Sequence, residues 1–204
     1  RGLGDVYKRQ IHKSYLTHLA AADVPVIPTV LFGRGETVDV AAVMDEHRWN
    51  DVVIKPAISA ASYRTHRFDR GSVSAAQDFM DSLLADGDAM IQRYIEAFAT
   101  SGERALVWID GLFTHKVVKT PRFDGQDESV SGAMPVADEE VALGERVLAC
   151  VDEPLLYARV DVVDFRGAPV ISEFELMEPS LFFAQQPSAL ALSLIHISEP
   201  TRLR

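Results

Sequence analysis

The segment "YARVDVVDFRGAPVISEFELM", residues 157–177, constrains the chain most strongly, because it has the pattern of a β-hairpin turning near Gly167. A turn symmetric about Gly167 pairs residues whose numbers sum to 334, so Asp161 faces Glu173 and Arg159 faces Glu175. Strand side chains alternate between faces, which puts Ile171, Glu173 and Glu175 on one side and Ser172, Phe174 and Leu176 on the other. Opposed carboxylates destabilise a sheet, and burying them costs more. A divalent cation reverses that cost, and oxygen donors that leave room for water and substrate phosphate suit Mg²⁺. The alternative is a solvent-facing hairpin with ordinary surface charges.

The two ends of the chain share a coding relationship. The DNA GATGTGTATAAGAGACAG translates as Asp5 to Gln10, and its reverse complement CTGTCTCTTATACACATC translates as Leu192 to Ile197. That element resembles a sequencing-library adapter, so residues 1–10 and 192–204 are expected to be adapter-derived tails. Residues 11–191 would then be a metagenomic fragment of a longer protein. The 204 residues carry a formal charge of -10. The suspected tails contain more basic than acidic residues, so the interior is more acidic still. Such a surface argues against nucleic acid or an anionic membrane as partner. The single cysteine, Cys150, excludes an intramolecular disulfide and suggests no cysteine zinc site; on an apolar helix it reads as packing. No apolar run approaches the roughly 20 residues that span a bilayer, so a cytoplasmic domain is the default expectation.

Elsewhere the pattern gives a helix with Tyr15, Leu16, Leu19 and Ala20 on one stripe, then a short strand after Pro25 and Pro28. "VDVAAVMDEHRW" reads as a helix, "DVVIKP" as a buried strand, and "SVSAAQDFMDSLLADG" as a helix with Ser72 or Ser74 as N-cap. "AMIQRYIEAF" is a strand, "ERALVWIDGLFTHKVVKT" a hairpin turning at Asp110-Gly111, and "DEEVALGERVLACV" a further helix. The polar stretch after Lys119 is long enough to suggest a functional loop. Helices with sparse strands followed by hairpins imply an α+β fold in two lobes, residues 11–89 and 90–191. Lys55 closes a buried strand and is either a snorkelling lysine or a phosphate contact beside the small residues of "PAISAASY". Lys13 on the first helix reads by itself as a surface residue, and the faces of Arg104 and Lys116 stay open. The histidines lack metal spacing, and most are expected at the surface.

The order of these features, a helix with Lys13, "VVIKP", "MIQRYIE", Gly102-Glu103, a hairpin with "IDG", "RVDVV" and "SEFELMEPS", resembles the ATP-grasp ligases of glutathione synthetase and ribosomal-protein glutamate ligase type. It is also similar to the cyclo-ligases of cycloserine synthesis. The resemblance implies two α+β lobes gripping ATP between them, with the N-terminal domain of the parent missing. It places Lys13 and Lys55 at the nucleotide phosphates, the strand Gln92, Arg93 and on to Ile95 at adenine, and Glu103 at the ribose. Asp161, Glu173 and Glu175 would hold Mg²⁺, with Arg159 and Lys119 as catalytic cations beside the reacting phosphoryl group. Glu175 stands where the family usually has asparagine. The implied reaction is ATP-dependent activation of a small-molecule or peptide carboxylate as an acyl phosphate, followed by attack of an amine. A kinase-like enzyme on the same fold and a non-catalytic nucleotide-binding module are the competing readings.

Overall fold

The computed structural model describes residues 11–59, 63–120 and 129–198. Among them, one compact unit takes residues up to 18 together with 26–94, and a second takes 19–25 together with residues from 95 onward.

The first unit is built on a four-stranded antiparallel sheet ordered β1-β4-β2-β3, with β1 at Thr29–Phe32, β2 at Asp51–Pro56, β3 at His66–Asp69 and β4 at Ala89–Arg93. Helix α1 spans Tyr15–Ala21, its residues divided between the two units, whereas α2, Val40–Glu46, and α3, Val73–Asp86, belong to the first. Asp39 starts α2, its side chain accepting the Ala42 N–H at 3.0 Å and supplying one of the partners that a helix N-terminus lacks. Gln77 of α3 fastens that start by accepting from Val40 N–H at 3.0 Å and donating to Val38 O at 2.8 Å. Met44, Trp49, Val52, Ile54, Met80 and Ile91 fill the core between α2, α3 and the sheet. Each such side chain contributes about 1.5–3 kcal/mol when fully buried.

Three expectations change here. Strand β4 ends at Arg93 and hydrogen-bonds between β1 and β2, so the chain leaves this sheet at Tyr94, not ahead of Met90. Strand β3, short and mostly exposed, was not expected; its "HRFD" has no apolar alternation to announce it. Ser72 does occupy the N-cap of α3, but its hydroxyl bonds Asp69 and caps nothing in the helix.

The second unit holds a five-stranded antiparallel sheet ordered β7-β6-β5-β8-β9. Its strands are β5 Glu103–Ile109, β6 Leu112–Thr120, β7 Ser129–Val130, β8 Tyr157–Phe165 and β9 Ala168–Glu175. Short helix α4 spans Ala97–Thr100, α5 Asp138–Leu148 and α6 Pro187–Ser198. The β5–β6 turn falls at Asp110-Gly111, as the sequence indicates. The β8–β9 turn is the two-residue loop Arg166-Gly167, with φ of 56° and 85°, the left-handed pair that matches strand twist.

Strict alternation fails in β9. Near the turn the register pairs Phe165 with Ala168 and Val162 with Ile171, whereas beyond it Asp161 pairs with Glu173 and Arg159 with Glu175. Ser172 is therefore an extra residue without a partner opposite, a β-bulge. It moves Ile171 onto the face of Val162, Val160 and Phe174, and it carries Ser172 to the face of Glu173 and Glu175. The Ile171 N–H, turned outward at this edge, donates to Pro25 O at 2.9 Å. Cys150 is exposed just past α5, so its packing role is overturned.

Candidate active site

Antiparallel pairing brings a row of charges onto one face of the second sheet. Glu103 opens β5 opposite Lys119 of β6, and Asp161 lies on β8 opposite Ala105 and Glu173. Lys119 Nζ stands 2.7 Å from Glu103 Oε2 and 2.6 Å from Asp161 Oδ2. Arg159 grips Asp161 with two nitrogens, at 2.9 and 3.0 Å, and reaches Glu175 Oε2 at 2.5 Å. Ser172 Oγ donates to Glu103 Oε1 at 2.5 Å. Asp161 is fully buried at the centre of this network, and Lys119 and Arg159 are both buried beside it.

Burial pushes the Asp161 carboxyl upward, but Lys119 and Arg159 outweigh it and hold the group below the ordinary carboxylate range. Burial opposes the charged forms of Lys119 and Arg159 too, yet their carboxylate neighbours raise both. Glu103 and Glu175 move the other way. Burial raises Glu103, which Lys119 only partly offsets, and Asp161 adds to the rise. Burial raises Glu175 as well, with Glu173 and Asp161 repelling its charge against the pull of Arg159.

The face thus gathers four carboxylates, Glu103, Asp161, Glu173 and Glu175, against the two cations Lys119 and Arg159. Among the described residues no group of three or more His, Cys, Asp or Glu is placed to hold a metal ion, and the Asp161 and Glu175 carboxylates are engaged by Lys119 and Arg159. The donor chemistry nevertheless fits Mg²⁺, which keeps several waters and takes phosphate oxygens in place of a full protein cage. Burial is the main cause of the raised Glu175 carboxyl, and the repulsion that Glu173 and Asp161 add to it is what a hard cation relieves.

The other sequence-predicted residues lie in the first unit, Ile95 excepted. Lys13 precedes α1 and is buried, contrary to its surface assignment: its N–H donates to Ala57 O and its Nζ to Ser59 O, both at 2.8 Å. A bridge between His12 and Ile58 holds that stretch beside the end of β2. Lys55, half-buried, pairs in register with Met90. Gln92 is buried and donates to Thr29 Oγ1 at 2.9 Å, and Arg93 is half-buried. Ile95 is buried in the second unit, beyond the end of β4.

Arg104 and Lys116 belong to the opposite face of the second sheet. Both reach Glu140 at 2.5 Å, and Arg104 also holds Asp164 at 2.6 and 3.0 Å. They are structural cations. His115 is an exception to the expectation that most histidines lie at the surface: it is buried, with Nδ1 2.9 Å from Thr114 Oγ1. Arg122, in the polar stretch after Lys119 and the one arginine there that could clamp an acyl phosphate, lies outside the described residues. Ser172 is the site residue that sequence reasoning missed, because nothing in "VISEFE" marks where a bulge interrupts the alternation.

No family model matches the chain. The chain is 32% identical over 195 residues to the cycloserine biosynthesis protein DcsG of Streptomyces lavendulae, a match covering 84% of this chain and 63% of that protein. The crystal structure of D-cycloserine synthetase DcsG superposes with a TM-score of 0.83 at 28% identity, covering 96% of this chain and 72% of the other. The structure of the ATP-grasp ligase PsnB with its minimal precursor superposes with a TM-score of 0.67 at 18% identity, covering 94% and 61%. The chain has the ATP-grasp fold. D-alanine–D-alanine ligase from Bacillus anthracis, solved in complex with ATP, shares it at a TM-score of 0.65 and 16% identity, covering 94% and 68%. The ATP-grasp architecture accounts for both antiparallel sheets and for the α+β class expected from the sequence. The chain spans 63% of the length of the curated relative it matches. No helix among the described residues is long and apolar enough to cross a membrane.

Proposed function

We propose that the protein is part of an ATP-dependent ligase that joins a carboxylate to an amine. The observation that carries this reading is the single sheet face on which Lys119, Arg159, Asp161, Glu173 and Glu175 meet, in a fold shared with ligases. In the proposed reaction a carboxylate oxygen of the acceptor attacks the γ-phosphorus of ATP. The new O–P bond forms as the bridging P–O bond breaks, and its electron pair leaves with ADP. The amine nitrogen then attacks the acyl carbon, the C–N bond forms, inorganic phosphate departs and the amine loses a proton.

Asp161, Glu173 and Glu175 are the residues that would hold Mg²⁺, which supplies positive charge against the phosphate oxygens. Arg159 and Lys119, held charged by their neighbours, face the same negative charge. Lys13 and Lys55 are assigned to the nucleotide phosphates, the backbone of Gln92, Arg93 and Ile95 to adenine, and Glu103 to the ribose. Substrates are small-molecule or peptide carboxylates and amines, a class supported by the substrates named for the relatives.

Calorimetric titration of the full chain with ATP, with and without Mg²⁺, tests the reading. Saturable binding is expected only with Mg²⁺, and Glu173→Gln is expected to weaken it at least tenfold, the scale of one charged contact. Unchanged affinity in Glu173→Gln would remove the metal assignment. ADP release coupled to a ligated product, and not to a stable phosphorylated one, separates a ligase from a kinase.

A further inference from the structure

We propose that Ser172 is a positioning residue: it fixes the Glu103 carboxylate in the orientation that receives the nucleotide ribose. The inference rests on the assignment of Glu103 to the ribose made above. Ser172 is the extra residue of the β9 bulge, so it has no register partner and its side chain joins the face of Glu173. It is buried, and its hydroxyl donates to Glu103 Oε1 at 2.5 Å across the intervening strand β8. The other carboxylate oxygen, Oε2, is held by Lys119 Nζ at 2.7 Å.

The two grips come from opposite sides of β5, one from β6 and one from β9. A carboxylate offers about four lone-pair sites, so the two that remain on Glu103 are aimed in a fixed direction and stay open to hydroxyl donors. Lys119 alone would not fix them, because a flexible ammonium follows a moving carboxylate, whereas a serine hydroxyl on a buried strand does not. The bulge has a use on this account. Without the extra residue, Ser172 would share the far face with Phe174 and could not touch Glu103. The residue that orients the ribose contact is also the one preceding Glu173, so the bulge ties the sugar and metal positions to one strand.

The test compares binding of Mg²⁺-ATP and Mg²⁺-2′-deoxy-ATP to the full chain and to Ser172→Ala, Ser172→Cys and Glu103→Gln, each checked for a native melting transition. The native chain is expected to prefer ATP by roughly tenfold or more, the worth of a hydroxyl bonded to a charged group. Glu103→Gln should abolish the preference, and both Ser172 variants should lose most of it while still requiring Mg²⁺. Cysteine keeps the side-chain shape, with a larger atom, and replaces the strong donor by a weak one, so it serves if alanine fails to fold. Retained preference in a folded Ser172 variant, with loss in Glu103→Gln, overturns the positioning role alone. Equal binding of both nucleotides by the native chain overturns the ribose assignment and the proposal with it.

Discussion

Glu140, outside the candidate site, is a single buried carboxylate that ties helix α5 to two cations of the second sheet. It is 2% exposed at the start of α5 and accepts from Arg104 and Lys116, each at 2.5 Å, and from the Ala137 N–H at 2.9 Å. Burial pushes its carboxyl up, but Lys116, the Ala137 amide and Arg104 outweigh that and hold it below the ordinary range. Glu140→Gln takes the carboxylate from largely buried Lys116 and leaves Arg104 with Asp164, and breaking such a buried pair costs about 3 kcal/mol. Because the folded value is depressed, the stabilisation is complete above the ordinary glutamate value near pH ~4.3 and is lost as pH falls through the folded value. Urea midpoints for the two proteins should therefore differ by a constant amount near neutrality, and the gap should narrow as pH falls below the ordinary glutamate value. A gap that stayed constant through that fall would show that packing, not charge, sets the loss. None of this was legible from the sequence, where Glu140 is one acid among several in "DEEVALGERV" and only tertiary placement selects it. The same applies to Lys13, a surface residue by composition that the structure buries against two carbonyls.

Helix α5 lies on the sheet through Gly144, where an added Cβ would overlap the ring of Phe113. Two effects compete in Gly144→Ala. Alanine is favoured over glycine by about 1 kcal/mol inside a helix, whereas overpacking against a ring costs about 1–3 kcal/mol. The contact is closer than side chains tolerate, so the packing term wins and the variant is expected to unfold at lower urea. A higher midpoint would mean that α5 shifts freely on the sheet. Element recognition from sequence succeeded where a local signal was strong. Asp110-Gly111 and Arg166-Gly167 supply the left-handed pairs of two hairpins, and α2, α3 and α5 carry helical periodicity. It failed for β3, β7 and α4, which span only two to four residues and are set by pairing or chain reversal. The pairing of Asp161 with Glu173 was read correctly, but the symmetry assumed for it was not. The tight turn alone gives a register one residue out, and the Ser172 bulge restores it.

For the protein as a whole, the proposed binding of a nucleotide turns on charge. The chain carries a net charge of -10, and the candidate face sets four carboxylates against two cations. A nucleotide brought there alone adds more negative charge beside Glu173 and Asp161, whose repulsion already adds to the burial that raises Glu175. Two remedies are physically distinct. Monovalent salt screens exposed charges over a Debye length of about 8 Å at physiological strength, but it acts weakly on buried groups such as Asp161. A divalent ion held between carboxylate and phosphate oxygens acts at contact distance and brings two positive charges. At a hundredfold excess over its dissociation constant, a ligand stabilises its native protein by about 2.7 kcal/mol, roughly 5–10 °C for a chain of this size. Melting curves at pH 7 are therefore expected to rise by that amount with ATP and millimolar Mg²⁺, and hardly at all with ATP and added NaCl. If NaCl were as effective as Mg²⁺, the carboxylate face would be a diffuse electrostatic surface, and the assignment of Asp161, Glu173 and Glu175 to a cation would fall.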